Sequence, residues 1–339
     1  MKAAVIGAGS WGSAFARHLG RMDIPTRLWV REEEVLEQIL QTRENRSFLP
    51  GFRFPKIVQP HHELKFTIED ADLIFIAVPS KYCRSVYEKM SSFLTPKHVL
   101  VSLTKGLEEK KLLRMSETMI DVLSPAVKPR IAVLSGPSFA KEVAQDHPTA
   151  VVVASYTKSL ARKIQLAVSS FHFRCYTSQD VIGVELGGAL KNVIAISAGI
   201  SDGLKYGNNS LAALMTRGIA EIARLGKKMG AKSETFSGLA GFGDLILTCT
   251  GKLSRNRFVG YQLGKGNKLD KILAGMNMVA EGISTTHSAK ELSLREKVEL
   301  PISEQVFKVL YYKKSPQQAL QDLLSRRLKG EHDEERKEK

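Results

Sequence analysis

The sequence predicts an α/β protein in two parts: a parallel sheet covered by helices on both faces, followed by a mostly α-helical second half. Two observations predict this. In the first half, short and nearly continuous apolar runs alternate with helical stretches, which is typical of strands buried in a parallel sheet. From about residue 179 the strand signal fades and long helical patterns follow. A chain of 339 residues is long enough for two domains, which we expect over 1–178 and 179–329.

Six β-branched runs are the predicted strands of the first part. They are "KAAVI" (2–6), "TRLWV" (26–30), "LIFIAV" (73–78), "HVLVSL" (98–103), "IAVL" (131–134) and "AVVVAS" (150–155). Apolar periodicity predicts the helices of the second part over 181–203, 209–230, 255–265, 283–296 and 301–312. The final stretch, 330–339, mixes charges of both signs and is nearly free of apolar residues, so we expect a disordered tail there.

The composition excludes several classes of protein. The formal net charge is +15, but the basic residues are spread along the chain without interleaved aromatic residues, so we expect no nucleic-acid binding. There is no run of about 18 apolar residues, so we expect no membrane insertion. The three cysteines, Cys83, Cys175 and Cys249, are too widely spaced for a disulfide framework or a zinc motif. We therefore expect a cytoplasmic protein without a metal site, and we expect a homodimer.

A glycine pattern after the first predicted strand indicates a dinucleotide site. "VIGAGSWGSAF" contains Gly7, Gly9 and Gly12 as G-x-G-x-x-G, between a strand and a predicted helix. The first glycine permits a tight turn, the second lets the main chain approach a pyrophosphate, and the third lets helix and strand pack closely. In this context the pattern predicts a Rossmann domain, which a plain glycine-rich turn would not. The predicted fold is thus an N-terminal Rossmann dinucleotide-binding domain followed by a mostly α-helical C-terminal domain.

The end of the second predicted strand bears on the choice of cofactor. NAD-preferring folds usually place an acidic residue there, which binds the ribose 2′-hydroxyl. Here the strand ends at Arg31, and an arginine can pair with a 2′-phosphate, which favours NADP(H) over NAD(H). Two alternatives stay open, since one of the carboxylates at 32–34 could face the ribose, or Arg31 could be a solvated helix start.

Polar and glycine-containing segments follow the other predicted strands, where ligands of open α/β sheets bind. They include Pro79–Ser80, Lys105–Gly106 and the segment 136–138. Pro137 suits the first turn of a helix, so Gly136 to Ser138 would offer free N–H groups to an anion.

Lys191 stands in the middle of "GVELGGALKNVIAISAG" (183–199), an apolar, glycine-rich stretch of predicted helix. A lysine is almost never buried without a partner. Either Lys191 extends along the surface to water, or it faces a cleft that uses its charge.

The stretch "GLAGFGDLILTCTGKLSRNRFVGYQLGKG" (238–266) places glycine-rich turns around Asp244, followed by "SRNR". An arginine beside Ser254 and Asn256 is what a phosphate monoester requires. The same residues also fit a helix N-cap at Ser254 followed by a solvated cationic turn, and the spacing does not decide between the two.

The chain as a whole resembles the bacterial NAD(P)-dependent sn-glycerol-3-phosphate dehydrogenases. The resemblance covers residues 1 to about 325. It rests on "GAGSWGSA", "LWVR", "FLPG", "VPSK", "TKGLE", "SGPSFAKEV", "ELGGALKNVIAISAGI", "GLAGFGDLILTCT", "SRNR", "LGKG" and "VAEGISTT". It implies reversible reduction of dihydroxyacetone phosphate to sn-glycerol 3-phosphate, which supplies glycerophospholipid synthesis. One departure is Phe48, where many relatives carry tyrosine, so a hydroxyl contact would be missing there.

The resemblance also implies the roles of individual residues. It makes Lys191 the catalytic acid and base, oriented with the substrate by Asn192 and Asp244. Beyond the three glycines, the implied cofactor contacts are Ser10, Trp11, Arg31, Lys105, Ala140, Arg255, Val279 and Glu281. The implied substrate contacts are Lys105, Gly136, Ser138, Lys191, Asp244, Ser254, Arg255 and Asn256. Thr248 is a weaker candidate, and Cys249 fits a packed thiol better than a nucleophile.

Two other functions fit parts of the sequence. One is a Rossmann dehydrogenase of the β-hydroxyacid or 6-phosphogluconate type, against which "GLAGFGDL" and "SRNR" argue. The other is a basic, nucleotide-sensing binding protein without turnover, against which the set of Lys191, Asp244 and Arg255 argues.

Overall fold

An eight-stranded sheet organises the first half of the chain. The computed structural model describes residues 1–123, 130–276, 278–328 and 330–331. The sheet order is β3-β2-β1-β4-β5-β6-β7-β8. Its strands are β1 Ala3–Ile6, β2 Thr26–Trp29, β3 Val58–His61, β4 Leu73–Ile76, β5 Val99–Ser102, β6 Ile131–Ser135, β7 Thr149–Ala154 and β8 Phe173–Ser178.

All six predicted strands are present, and two further strands lie at the edges of the sheet. β3 contains Pro60, which cannot donate to a ladder and is tolerated at an edge. β8 is half exposed and reads "FRCYTS", without the apolar run of a central strand. Both strands were missed because edge positions do not demand apolar, β-branched residues.

The prediction of a wholly parallel sheet is wrong at β7, which runs antiparallel to β6 with Leu134 opposite Val153. The cause is the connection between the two strands. Its only helix among the described residues, α6 (Ala140–Ala144), stays at the carboxyl edge, where Arg17 donates a hydrogen bond to the carbonyl of Ala144 over 2.8 Å. The chain therefore re-enters the sheet from the edge at which it left.

Helices cover both faces of this sheet. They are α1 Ser10–Arg21, α2 Glu33–Thr42, α3 Leu64–Ile68, α4 Ser80–Ser91, α5 Met115–Val122, α6 and α7 Lys158–Val168. Alternate residues of β1 enter opposite layers: Val5 packs with Phe15 of α1, whereas Ile6 packs with Met90 of α4. Pro137 does not begin a helix, because α6 begins three residues later at Ala140, so that prediction is also wrong.

The described residues of the second half form helices joined by loops, without a strand. All five predicted helices are present, with ends displaced by at most two residues. The elements are α8 Val181–Gly203, α9 Gly207–Lys228, α10 Ser233–Phe236, a π-helical turn Leu239–Gly243, α11 Asp244–Thr250, α12 Arg255–Gly264, α13 Leu269–Ala274, α14 Glu281–Glu296, α15 Pro301–Tyr311 and α16 Pro316–Leu324.

Helix α8 is the central element of this half. A Cβ on Gly199 would clash with the carbonyl of Arg257, and one on Gly260 would clash with the carbonyl of Ile196, so α8 and α12 pack backbone against backbone. By length and composition α8 could cross a membrane, but 94% of its most apolar window is buried inside this protein. Its glycines thus allow close packing in a protein core.

The change from sheet to helices falls at the predicted place. β8 ends at Ser178, and α8 begins at Val181 behind an Asp180 N-cap that accepts a hydrogen bond from the Gly183 amide at 2.9 Å. We propose the domain boundary here, with domains over 1–178 and 179–329. The predicted disordered tail, 330–339, lies outside the described residues apart from Gly330 and Glu331.

Candidate active site

A cleft of about 690 Å³ lies between the carboxyl edge of the sheet and helices α8, α11, α12 and α14. The glycine-rich turn of β1 lies along it, and Lys191 of α8 also lines it. The cleft therefore lies where open α/β sheets bind their ligands.

The turn between β1 and α1 fits a dinucleotide. Gly7 has a φ of +107°, which favours glycine. A Cβ on Gly12 would clash with the carbonyl of Gly7, so the third glycine brings helix against strand. A Cβ on Gly9 would meet nothing within 4 Å, which leaves the main chain open to an incoming anion. Trp11 Nε1 is buried here without a hydrogen-bond partner among the described residues.

Arg31 lies beyond the end of β2 and lines the cleft, as does Glu32. The two side chains form an ion pair, and the Arg31 guanidinium lies 5.6 Å from the centre of the Tyr82 ring. Because the Arg31 cation and the Glu32 carboxylate both line the cleft, the geometry does not decide which of the two contacts the 2′ position of the ribose.

The helical half reaches across the cleft to the sheet through Glu281. Its carboxylate accepts hydrogen bonds from the amide and the hydroxyl of Ser80, at the start of α4. Burial raises the pKa of Glu281. Nearby, Ser10 Oγ donates to the carbonyl of Phe48 at 2.6 Å and lies 3.1 Å from the sulfur of Met278. These contacts join the two halves at the glycine-rich turn.

Lys191 lies at the floor of the cleft and is 5% exposed. Its Nζ donates to Thr248 Oγ1 at 2.8 Å and to Asn192 Oδ1 at 3.2 Å, and it lies 3.4 Å from Asp244 Oδ1. Burial lowers the pKa of Lys191 to about 8, against the opposing effect of the Asp244 carboxylate. Lys191 is buried and lines the floor of the cleft, so the alternative in which Lys191 extends along the surface to water is wrong.

A second ammonium shares the same carboxylate. Lys105 Nζ lies 2.7 Å from Asp244 Oδ2 and also donates to the carbonyl of Gly136 at 2.7 Å. Ser138 Oγ is a third neighbour at 3.4 Å. Two cations against one anion leave the floor with an excess positive charge, which favours an anionic ligand.

Two asparagines connect this floor to α14. Asn256 donates from Nδ2 to Asn192 Oδ1 at 2.9 Å and accepts from the amide of Gly282 at 2.9 Å. Asn192 in turn donates to the carbonyl of Lys105, at 3.4 Å. This chain of hydrogen bonds aligns both the amide of Asn192 and the ammonium that it contacts.

Both interpretations of "SRNR" describe parts of the structure. Ser254 is the N-cap of α12 and accepts a hydrogen bond from the amide of Arg257 at 3.2 Å. Arg257 pairs with Asp202 outside the cleft, whereas Arg255 lines it and donates to the carbonyl of Val279 at 2.8 Å. Desolvation by the surrounding protein lowers the pKa of Arg255, although its surface is open to the cleft. Of these two arginines, Arg255 is therefore the one that a ligand in the cleft can contact.

The similarity to known proteins covers nearly the whole chain. Residues 2–161 match the model of the NAD-dependent glycerol-3-phosphate dehydrogenase N-terminus, and residues 180–321 match that of its C-terminus. The chain belongs to this family. A glycerol-3-phosphate dehydrogenase [NAD(P)+] of Koribacter versatilis is 50% identical over 95% of this chain and 96% of its own length. One of Syntrophobacter fumaroxidans is 49% identical over 96% of each.

The structure agrees with this assignment. A glycerol-3-phosphate dehydrogenase from Coxiella burnetii superimposes with a TM-score of 0.92 at 38% identity, covering 96% of this chain and 99% of that one. The chain is therefore an NAD(P)-dependent oxidoreductase that interconverts dihydroxyacetone phosphate and glycerol 3-phosphate. The two other functions that the sequence left open do not describe it.

The structure brings most of the predicted residues of this dehydrogenase into one cleft. Those that line it are Gly7, Gly9, Ser10, Trp11, Arg31, Lys105, Ser138, Ala140, Lys191, Asn192, Asp244, Ser254, Arg255, Asn256, Val279 and Glu281. Two do not: Gly12 lies behind the turn, and Gly136 reaches the site through its carbonyl. Cys249 is fully buried, and burial raises the pKa of its thiol to about 12, which agrees with a packed thiol.

Three lining or supporting residues had no role in the sequence prediction. Ser80 holds Glu281, Tyr82 lies beside Arg31, and Met278 lies against Ser10. Ser80 carried a signal, since it follows a strand end in "VPSK", but its partner is 201 residues away. Thr248, rated weakly from the sequence, makes the shortest of the hydrogen bonds donated by Lys191. The described residues hold no group of three or more metal-ligating side chains.

Proposed function

We propose that this cleft reduces dihydroxyacetone phosphate to sn-glycerol 3-phosphate with Lys191 as proton donor, and that the product supplies glycerophospholipid synthesis. The observation that carries the proposal is the buried Lys191 ammonium, held by Thr248, Asn192 and Asp244 at one end of a cleft whose other end is the glycine-rich turn.

The reaction places specific demands on these side chains. When bound, the nicotinamide supplies a hydride to C2 of the substrate. Negative charge then grows on the carbonyl oxygen, and the Lys191 ammonium stabilises that charge and donates a proton to it. In the reverse direction the neutral amine accepts the proton. A pKa of about 8 makes both forms accessible near neutral pH.

We propose that the other cations of the cleft bind anionic groups. Arg255, with Ser254 and Asn256 beside it, binds the substrate phosphate and also contacts the cofactor. Lys105 supports Asp244 and meets the substrate from the sheet side, beside Gly136 and Ser138. Asn192 and Asp244 orient the Lys191 ammonium and the hydroxyl groups of the substrate.

The remaining predicted contacts belong to the cofactor. We propose that Gly7, Gly9 and Gly12 form the pyrophosphate turn, with Ser10 and Trp11 at the start of α1. The other proposed contacts are Arg31, Lys105, Ala140, Val279 and Glu281. Arg31 makes NADP(H) the favoured cofactor, with NAD(H) also used. We further propose that the protein acts in the cytoplasm as a homodimer.

The test is a rate measurement that follows the loss of reduced nicotinamide. We expect turnover with dihydroxyacetone phosphate and either cofactor, at a higher kcat/KM with NADPH. Unphosphorylated dihydroxyacetone serves as the control and should react far more slowly, since the phosphate supplies binding energy that also orients C2. Turnover of β-hydroxyacids or their ketones without turnover of dihydroxyacetone phosphate would contradict the proposal.

A further inference from the structure

A second pocket lies away from the cleft, among α8, α9, α15 and α16. Its volume is about 440 Å³, within the range of roughly 300–1,000 Å³ typical of small-molecule sites. Most of its wall is aliphatic. These side chains include Ile200, Leu214, Ile302, Val306 and Leu320. Leu324 and Leu328 are 74% and 94% exposed, so apolar surface continues to the mouth.

The charges at this pocket are mostly positive. Its lining holds four arginines, at 217, 224, 326 and 327, against one acidic residue, Glu221. The Glu221 carboxylate is buried and already accepts hydrogen bonds from the amides of Ile302 and Ser303 at the start of α15, and from the Ser303 hydroxyl. The oxygens of Glu221 are therefore already hydrogen-bonded within the protein and do not face a ligand.

Two of the arginines donate to main-chain carbonyls; the charge of Arg217 stays available, whereas that of Arg224 is partly offset by the buried Glu221 carboxylate. Arg217 donates to the carbonyl of Glu331 at 3.2 Å, and Arg224 donates to the carbonyl of Glu299 at 3.0 Å. A carbonyl satisfies a donor but does not neutralise a guanidinium. Arg326, by contrast, is paired with the Glu299 carboxylate at 2.7 Å. Because Arg217 and Arg224 are seven residues apart on α9, they lie on one face of that helix, along the pocket.

We propose that this pocket binds a single-chain anionic amphiphile, with its acyl chain among the aliphatic residues and its headgroup at Arg217 and Arg224. The aliphatic wall binds a hydrocarbon chain through burial of apolar surface, whereas a guanidinium provides the planar pair of donors that a carboxylate or a phosphate requires. The ligand therefore needs both a hydrocarbon chain and an anionic headgroup.

The pocket is separate from the proposed active site but shares a helix with it. Ser197 and Ile200 of α8 line it, and Lys191 lies on the same helix. Ser197 lies six positions after Lys191 along the helix, which corresponds to about 9 Å of rise. The amphiphile should accordingly bind in the presence of a saturating nicotinamide cofactor.

The experiment is calorimetric titration of the full-length protein, held in saturating NADP+, with saturated fatty-acid carboxylates of increasing length below their critical micelle concentrations. We expect one site per chain. Affinity should rise up to roughly fourfold per added methylene until the chain fills the pocket, and should then level off. A primary alcohol of equal length should bind at least about tenfold more weakly, because it lacks the charge that the arginines recognise.

Matched variants locate the binding. Ala213→Trp fills the pocket from α9 and should abolish binding, whereas Ala212→Trp, at an exposed neighbour outside the lining, should not. Arg217→Gln should weaken binding about tenfold. Arg162→Gln removes one charge from α7, on the sheet domain, and should leave binding unchanged.

Several results would overturn the proposal. Equal binding of alcohol and carboxylate would remove the role of the arginines, and retention of binding in Ala213→Trp would place the ligand elsewhere. Loss of binding on addition of NADP+ would assign the amphiphile to the cofactor cleft. Binding only to anionic phospholipid vesicles would indicate a membrane surface. Dissociation of a dimer by Ala213→Trp, but not by Ala212→Trp, without carboxylate binding would show that a second copy covers the pocket.

Discussion

The two ends of the cleft hold cations in opposite environments. Lys191 at the floor is 5% exposed and has three side-chain oxygens within 3.4 Å of its Nζ. The Arg31 side chain at the rim is 59% exposed and pairs with its neighbour Glu32. Burial shifts the pKa of the lysine to about 8. Burial thus brings the titration of Lys191 closer to neutral pH, and we propose that this cation exchanges protons whereas the exposed Arg31 selects the cofactor.

The difference is also one of construction. The floor is a hydrogen-bonded network whose members come from α8, α11, α12 and the segment after β5, so a change at one member disturbs the rest. The rim depends on single side chains and on main-chain N–H groups at the glycine-rich turn. We therefore expect substitutions at the floor to affect catalysis most, and substitutions at the rim to change the choice of cofactor.

The largest effect should follow the loss of the floor ammonium. Lys191→Ala should lower kcat for dihydroxyacetone phosphate reduction by roughly 10²–10⁴-fold, the range for a positioned acid or base. NADPH binding, measured by the fluorescence of the reduced cofactor, should change little. Lys228→Ala, at an exposed position near the end of α9, is the control and should retain full activity. A Lys191→Ala enzyme with near wild-type kcat would remove this lysine from the chemistry.

Arg255 tests the middle of the cleft. Arg255→Ala should raise KM for dihydroxyacetone phosphate at least about tenfold and also lower kcat, since a charged hydrogen bond is lost and the substrate is held less well. Unphosphorylated dihydroxyacetone should be nearly unaffected. Arg257→Ala is a matched control in the same "SRNR" segment, because that arginine pairs with Asp202 outside the cleft. Equal losses for the two substrates in Arg255→Ala would separate this arginine from the phosphate.

Arg31 tests the rim. Arg31→Asp should lower kcat/KM for NADPH relative to NADH by about tenfold or more, because a 2′-phosphate loses a cation and meets a like charge. Glu32→Gln, in the partner of the same ion pair, is the comparison and should not penalise NADPH. If Arg31→Asp lowers kcat/KM equally for NADPH and NADH, this side chain does not recognise the 2′-phosphate.

The smallest change concerns the pH profile. In the proposed mechanism, reduction uses the ammonium form of Lys191, so kcat/KM for dihydroxyacetone phosphate should be level below a pH of about 8 and fall as pH rises through it. In the same mechanism, oxidation of glycerol 3-phosphate uses the neutral amine, so its kcat/KM should rise through the same pH. Asp244→Asn removes a carboxylate that raises the pKa of Lys191, so both transitions should move to lower pH, whatever the residual rate. A transition that stays in place or moves upward would show that another group titrates.

Most of the architecture was predictable, and the errors have physical causes. The five predicted helices repeat apolar residues over many positions, and most residues of the six inner strands are apolar, so both patterns are strong. The edge strands β3 and β8 carry no such pattern. The direction of β7 depends on where α6 packs against Arg17, which no local pattern records.

The sequence by itself determined that a nucleotide-type turn follows β1, that Lys191 lies within an apolar helix, and that an arginine-containing segment begins α12. These are local properties, set by glycine conformations, periodicity and caps. Only the tertiary structure decided that Glu281 reaches Ser80 across 201 residues and that Asp244 lies between the ammonium groups of Lys191 and Lys105. It also decided that Lys191 is buried. Burial and shared partners depend on how α8 packs against α11 and α12, and therefore so does the pKa on which the proposed acid–base chemistry depends.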